Sequence, residues 1–373
     1  MKKFLDWIEN RLGILWKKAE YSSDNDTQSL SVIRILYGLF ILLFATPSFS
    51  WIGKVPQGFF LPPFLSLGNL FHSFPNYLWL LAIDIILLLL TICLILGIKT
   101  RNAGILFAVF YVIGYSFRIS FGKIDHGEIM FIAFIFGLSF TNWGTINALV
   151  PDRKVSPVVQ RKILAILAGI LCFAMFTAGF EKALRWIDLD LETGGFLSWF
   201  YSGFFNLDRH YFLAPFVLSV PPQFFEIFDY FAVAFELSPL IALLSGRKWW
   251  HLWLLVAAMF HFGNTLLLNI PFTNHALVYL SFVSICSFFK GFQFKLDRAK
   301  LVLFIFTIIG VIATHSFYQL YVNQAVESIS VYVLPIFKNE RELYLYTGLL
   351  IWFLTTYIMG RSVKNLFSVG AKK

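Results

Sequence analysis

Ten apolar stretches, separated by short polar or charged segments, run along this chain at 29–48, 76–97, 103–121, 127–145, 158–181, 223–245, 249–270, 274–290, 300–322 and 344–361. Each is about the 17–25 residues that a helix needs to cross a bilayer core. Ahead of the first, Phe4, Ile8, Leu12, Leu15 and Trp16 fall on one helical face, interleaved with Lys2, Lys3, Asp6, Glu9, Arg11, Lys17 and Lys18. That pattern predicts an amphipathic helix lying in the membrane interface, broken by the polar run 22–27. Three further segments, 49–75, 183–222 and 323–343, are long and rich in aromatic residues. Irregular backbone at membrane depth is tolerated only where protein buries it or a cavity receives it. These segments therefore read as re-entrant or interfacial caps, although anchoring by an aromatic belt explains part of them equally well. The expected fold is all-α, a polytopic membrane bundle of about ten transmembrane helices. Its parts are an interfacial helix and linker (1–27), a main membrane domain (28–292), and two additional helices with a basic tail (293–373).

Composition agrees. The chain is 58% hydrophobic and 14% charged, against about 25% charged in a soluble domain. Its 45 phenylalanines exceed what spanning alone requires. No cleavable signal peptide is evident. Lys and Arg outside the spans divide into about 21 on the side of both termini and about 8 on the other, which places both termini in the cytoplasm. The net charge of +9 therefore follows from topology and not from a nucleic-acid partner. Cys93, Cys172 and Cys286 sit inside apolar runs without paired spacing, as small core residues do. No metal-ligand spacing, phosphate loop, dinucleotide fingerprint or nucleophile elbow occurs.

Ionisable residues inside the spans are expensive and mark function or paired structure. Arg34 and Asp84 read as a structural ion pair. Glu236 lies deep in the sixth span, where Pro239 frees a backbone carbonyl one turn back, and Glu226 and Asp229 lie toward the outward end. His261 and Asn264 share one helix face at i,i+3. His261 reads either as a hydrogen-bonded core residue or as part of a binding site. Lys182 closes the segment Phe176-Thr177-Ala178-Gly179-Phe180-Glu181-Lys182 on the outward side. Two readings stand for it: a snorkelling anchor, or a partly desolvated amine that gives up its proton easily and acts as a base. Glu181 precedes it, but adjacent helical residues point about 100° apart. His126 begins the fourth span on the same face of the membrane.

In order along residues 28–292, these motifs resemble the HTTM (horizontally transferred transmembrane domain) proteins, bacterial relatives of vitamin K-dependent gamma-glutamyl carboxylase. The likeness rests on Arg34 and Gly38 in the opening helix, Gly97 with Thr100-Arg101, Asp125-His126, Ala178-Gly179-x-x-Lys182 with Trp186, Glu236-x-x-Pro239, and His261-x-x-Asn264 with Ile270 and Phe272. The resemblance implies a lyase-type chemistry in a bacterial inner membrane. A neutral lysine deprotonates a reduced isoprenoid naphthoquinone (menaquinone or vitamin K type), O2 oxygenates it, and the resulting strong base drives proton abstraction and CO2 uptake on a peptide or small substrate. Lys182 would then be the base and His126 its helper. His261, Asn264, Trp199 and Phe200 would hold the quinone, with no metal. Partners would be membrane lipid and a peptide substrate, and nothing fixes the oligomeric state. The alternative is a non-catalytic membrane factor for maturation, export or binding of a secreted peptide or lipid. Transport ranks lowest, because no inverted repeat with broken helices in matching positions is present.

Overall fold

The structure, a computed structural model, describes residues 2–64, 66–121, 126–188, 194–286, 298–322, 336–337 and 339–370. In chain order the helices are α1 (Lys2–Ser23), α2 (Thr27–Phe44), α3 (Tyr77–Leu96), α4 (Thr100–Arg118), α5 (His126–Leu138), α6 (Pro157–Trp186) and α7 (Gly195–Tyr201). They continue as α8 (Ala214–Val217), α9 (Gln223–Leu237), α10 (Pro239–Ser245), α11 (Arg247–Leu268), α12 (Asn274–Leu280), α13 (Arg298–Val322) and α14 (Glu340–Gly370). Among the described residues there is no β-strand, only an isolated bridge between Ile98 and Val150. α2, α3, α4, α6, α11 and α14 are each long and apolar enough to cross a membrane. α9 and α10, which meet at a 50° bend, pass the same test as a pair. The protein is an all-helical, multi-pass membrane protein.

Two of the expected spans come out shorter. In 127–145, α5 stops at Leu138, and the Ser139 and Thr141 hydroxyls take the carbonyls of Ile135 and Leu138 at 2.7 and 2.6 Å. In 274–290, α12 stops at Leu280. Beyond it the Asn25 amide donates to the Ser281 and Val283 carbonyls at 2.9 and 3.0 Å, so side chains meet needs that further helical turns would have met. Of the three capping segments, 49–75 contains short 3₁₀ turns at Ser50–Lys54, Gln57–Phe59 and Leu67–Leu70, and 183–222 contains α7 and α8. Most of 323–343 lies outside the described residues.

The chain forms two compact units. One comprises Met1–Asn25, Pro157–Phe288 and Arg341–Lys373; the other comprises Asp26–Ser156 and Phe289–Glu340. In the second unit Arg34 and Asp84, both fully buried, do not pair with each other. Backbone claims each first. The Arg34 guanidinium donates to the carbonyls of Trp143 and Asn147. The Asp84 carboxylate accepts from the amides of Phe49 and Ser50 at 2.7 and 2.9 Å, and so caps the turn after α2. Nearby in chain order, Asp152 accepts from the Thr100 hydroxyl and the Arg101 amide and so caps the start of α4.

In the first unit α6 packs along α9 and α1, and α10 packs on α11. The exposed Leu12, Leu15 and Trp16 of α1 give it the apolar side expected of an interfacial helix. α14, expected as an appendage, belongs here. Its Trp352 is completely buried, donates from Nε1 to the Pro271 carbonyl, and stacks on His261 with ring centroids 5.0 Å apart.

Candidate functional site

α6 carries Lys182 in its last turns, and the lysine's partner comes from α9. Gly179 makes that meeting possible. A Cβ on Gly179 would stand 2.7 Å from the Glu236 Cβ, a distance no side chain tolerates, so glycine alone lets the two helices come this close. One turn on, the Lys182 ammonium donates to Glu236 Oε1 in a charge-assisted bond. The carboxylate is buried and the lysine partly exposed. Lys182 Nζ also lies 5.1 Å from the centroid of the Trp186 ring, within cation–π range. Glu181, which neighbours Lys182 in sequence, faces Arg185 at 3.5 Å on the exposed side. The acid that matters to this lysine is thus 54 residues away and not adjacent.

Glu236 is held there by the break that follows it. Pro239 cannot donate to the Phe235 carbonyl, and that oxygen accepts instead from Trp253 Nε1 at 3.2 Å and from the Ser238 hydroxyl at 2.8 Å. The Phe235 carbonyl freed at the bend is therefore satisfied, and Glu236 lies in the last turn of α9, just before the bend.

Lys182 opens into a cavity of about 420 Å³ whose walls include Trp186, Trp199, Phe231, Asn264 and Phe272. This falls within the roughly 300–1,000 Å³ of small-molecule sites. Trp199, Phe228, Phe231 and Met259 line it and are themselves exposed, so the cavity reaches the outer surface of the helices. Its polar equipment is sparse. Besides Lys182 there is the Asn264 amide; the backbone carbonyl of Asn264 accepts from the Asn269 amide and from Ile270 at 3.2 Å, and among the described residues its side chain makes no hydrogen bond. α7 forms one wall through Phe196 and Trp199. Its start is pinned from α9, where Asp229 Oδ1 accepts from the Phe196 amide at 2.7 Å.

The residues expected at a site separate as follows. Lys182, Asn264 and Trp199 share the cavity. Phe200, on the other face of α7, packs into a buried cluster with Ala214, Val217 and Phe225 and does not line the cavity. His261 sits one layer behind. The Phe260 and Phe272 rings, both in the cavity wall, lie 5.5 and 5.4 Å from it, and its Nε2 pairs with the Tyr279 hydroxyl at 2.8 Å. His126 heads α5 in the other compact unit, and its side chain lies outside the described residues. Sequence reasoning passed over Phe228 and Phe231. Their spacing with Phe224 and Phe235 marks an aromatic stripe on α9, a signal that core packing imitates.

Such a site can enclose a flat apolar ring, offer it one amide and one ammonium, and keep a carboxylate behind the ammonium to receive or return a proton. The chain matches no protein-family model, no curated protein and no solved structure.

Proposed function

We propose that this protein is a carboxylase-like membrane enzyme of the HTTM type that takes a reduced isoprenoid naphthoquinone from the bilayer into the cavity beside Lys182. One observation carries the reading: an aromatic, surface-opening cavity whose polar groups include a lysine with a carboxylate behind it and an asparagine amide. The fit to a quinone ring is good in shape and in chemistry. Trp186, Trp199, Phe231 and Phe272 supply flat apolar walls, and Asn264 supplies a group able to bond a ring oxygen. With O2, a bound reduced naphthoquinone would supply a base stronger than any side chain, and CO2 would be the third substrate.

The protein's own part is proton handling and exclusion of water. Lys182 starts as an ammonium against Glu236. Passing the proton to Glu236 leaves an amine facing the cavity, able to accept a proton from a ring hydroxyl, while the aromatic walls keep water from competing. The resemblance gives His126 a supporting role, and a His126→Ala variant tests it separately.

The deciding assay measures conversion of reduced menaquinone to its epoxide, with labelled CO2 present, in membranes holding wild type or Lys182→Ala. Turnover should fall at least a hundredfold in the variant, the usual size of a lost acid–base group. Full turnover in Lys182→Ala would sink the proposal. The Lys182–Glu236 ion pair itself favours a second reading, in which the lysine is structural and the protein is a non-catalytic factor for maturation, export or binding of a secreted peptide or lipid. That reading expects no quinone turnover and a Lys182→Arg variant that works normally.

For topology the proposal is ten crossings in a cell (inner) membrane, with both termini cytoplasmic. The charge asymmetry supports it, together with the long apolar helices. Reporter fusions after α6 and after α14 should report opposite sides.

A further inference from the structure

We infer that Arg209 and Arg341 form a binding site for the phosphate of an anionic phospholipid headgroup. Arg209 stands on a tightly fastened segment. Its amide donates to the Gly203 carbonyl at 3.2 Å. Two residues on, the Tyr211 amide donates to Asn269 Oδ1 at 2.8 Å, Asn269 Nδ2 returns to the Tyr211 carbonyl at 3.0 Å, and the Leu213 amide donates to the Leu266 carbonyl at 3.1 Å. The Arg209 side chain folds over Gly203, where a Cβ would stand 2.9 Å from its Cδ. Arg341, in the first turn of α14, reaches the same segment and donates to the Leu207 carbonyl. Two guanidinium groups thus meet on one short stretch of backbone.

Among the described residues neither arginine is in an ion pair. The adjacent carboxylate, Asp208, is 85% exposed and faces His210 at 2.9 Å. Glu340 and Glu342 flank Arg341 in sequence. Burial, and then the charge of Arg341, push the Arg209 guanidinium below its ordinary range. Like charges brought together while half-buried repel, and such clusters are stable when an anion neutralises them. Arginine forks match phosphate oxygens two at a time, and the start of a long helix adds its own positive end. The surroundings choose lipid over a free anion. Phe205, Leu207, Leu213 and Phe216, which flank Arg209 in sequence, and Tyr344 and Tyr346, which follow Arg341, are exposed, as acyl chains and the headgroup layer require. This site is independent of the chemistry at Lys182, since the two involve different residues and different assays.

The test uses the purified full chain in detergent, with native mass spectrometry and thermal shift against phosphatidylglycerol, phosphatidylcholine and inorganic phosphate. Phosphatidylglycerol should bind and stabilise the wild type. The Arg209→Gln/Arg341→Gln variant should bind it at least tenfold more weakly, and Lys54→Gln should match wild type. Equal affinity in wild type and double variant, or an equal loss in Lys54→Gln, overturns the site. Equal stabilisation by inorganic phosphate alone overturns the lipid assignment. Should the double variant lose its helical spectrum, Arg209→Lys and Arg341→Lys take its place. They keep the charge and lose the fork, so weaker binding supports the site and unchanged binding overturns it.

Discussion

Removing Lys182 alone should cost more than removing it together with Glu236. Lys182→Met strands a buried carboxylate, which destabilises a protein by about 3 kcal/mol, whereas Lys182→Met/Glu236→Leu puts apolar groups where the pair stood and recovers most of that. A double-mutant cycle by thermal unfolding checks it, and equal losses in single and double variants would show that the pair contributes little. Other polar residues were legible only in part. The sequence marked Glu236, Arg34 and Asp84 as residues needing a partner, but not which partner. Arg34 and Asp84 looked matched by charge, yet backbone groups closer in the fold claimed both. Glu181 drew notice by adjacency, while the operative acid came from a helix 54 residues on. Charge pairing across a bundle depends on which helices touch, and one sequence does not carry that information.

At the scale of helices, periodicity served well for long, strongly apolar elements and poorly where side chains end a helix early. α6, α11 and the α9–α10 pair fall close to their expected spans, and Pro239 announced its freed carbonyl but not the 50° bend. α5 and α12 stop short at segments where side chains supply hydrogen bonds that further helical turns would have made: the Thr141 hydroxyl to Leu138 after α5, and the Asn25 amide to Ser281 and Val283 after α12. Two expectations belong to this scale. Gly179→Ala should push α6 from α9 and lower stability by about 1–3 kcal/mol, the usual cost of overpacking. Lys182 reactivity toward amine-directed reagents should rise with it, and an unchanged melting temperature would contradict the close approach. Asp229→Ala should free the start of α7. A hydrogen bond to a charged group is worth about 1.5–3 kcal/mol. Amide exchange across 195–201 should therefore quicken at least tenfold while α11 stays protected. Exchange unchanged in α7 would mean that packing of Phe196 against Phe225 holds the wall unaided.

Across the whole molecule, the last helix is part of the candidate site's support. Trp352→Ala should cost about 3–5 kcal/mol, the range for truncating a buried tryptophan, and should loosen the cavity wall through His261. Thermal unfolding reads the first effect and quenching of tryptophan fluorescence by lipid-borne quenchers reads the second. Hydropathy showed that α14 exists but not where it docks, because an apolar span looks alike at a bundle's edge and in its centre. The same placement sets a schedule for synthesis. α6, α9 and α11 leave the ribosome long before residue 352, so the ring of His261 waits without its cover while the intervening chain is made. At about 5–20 residues per second that wait lasts roughly 5–20 s, and for its duration the half-built wall is open to any chaperone, lipid or quinone that reaches it first.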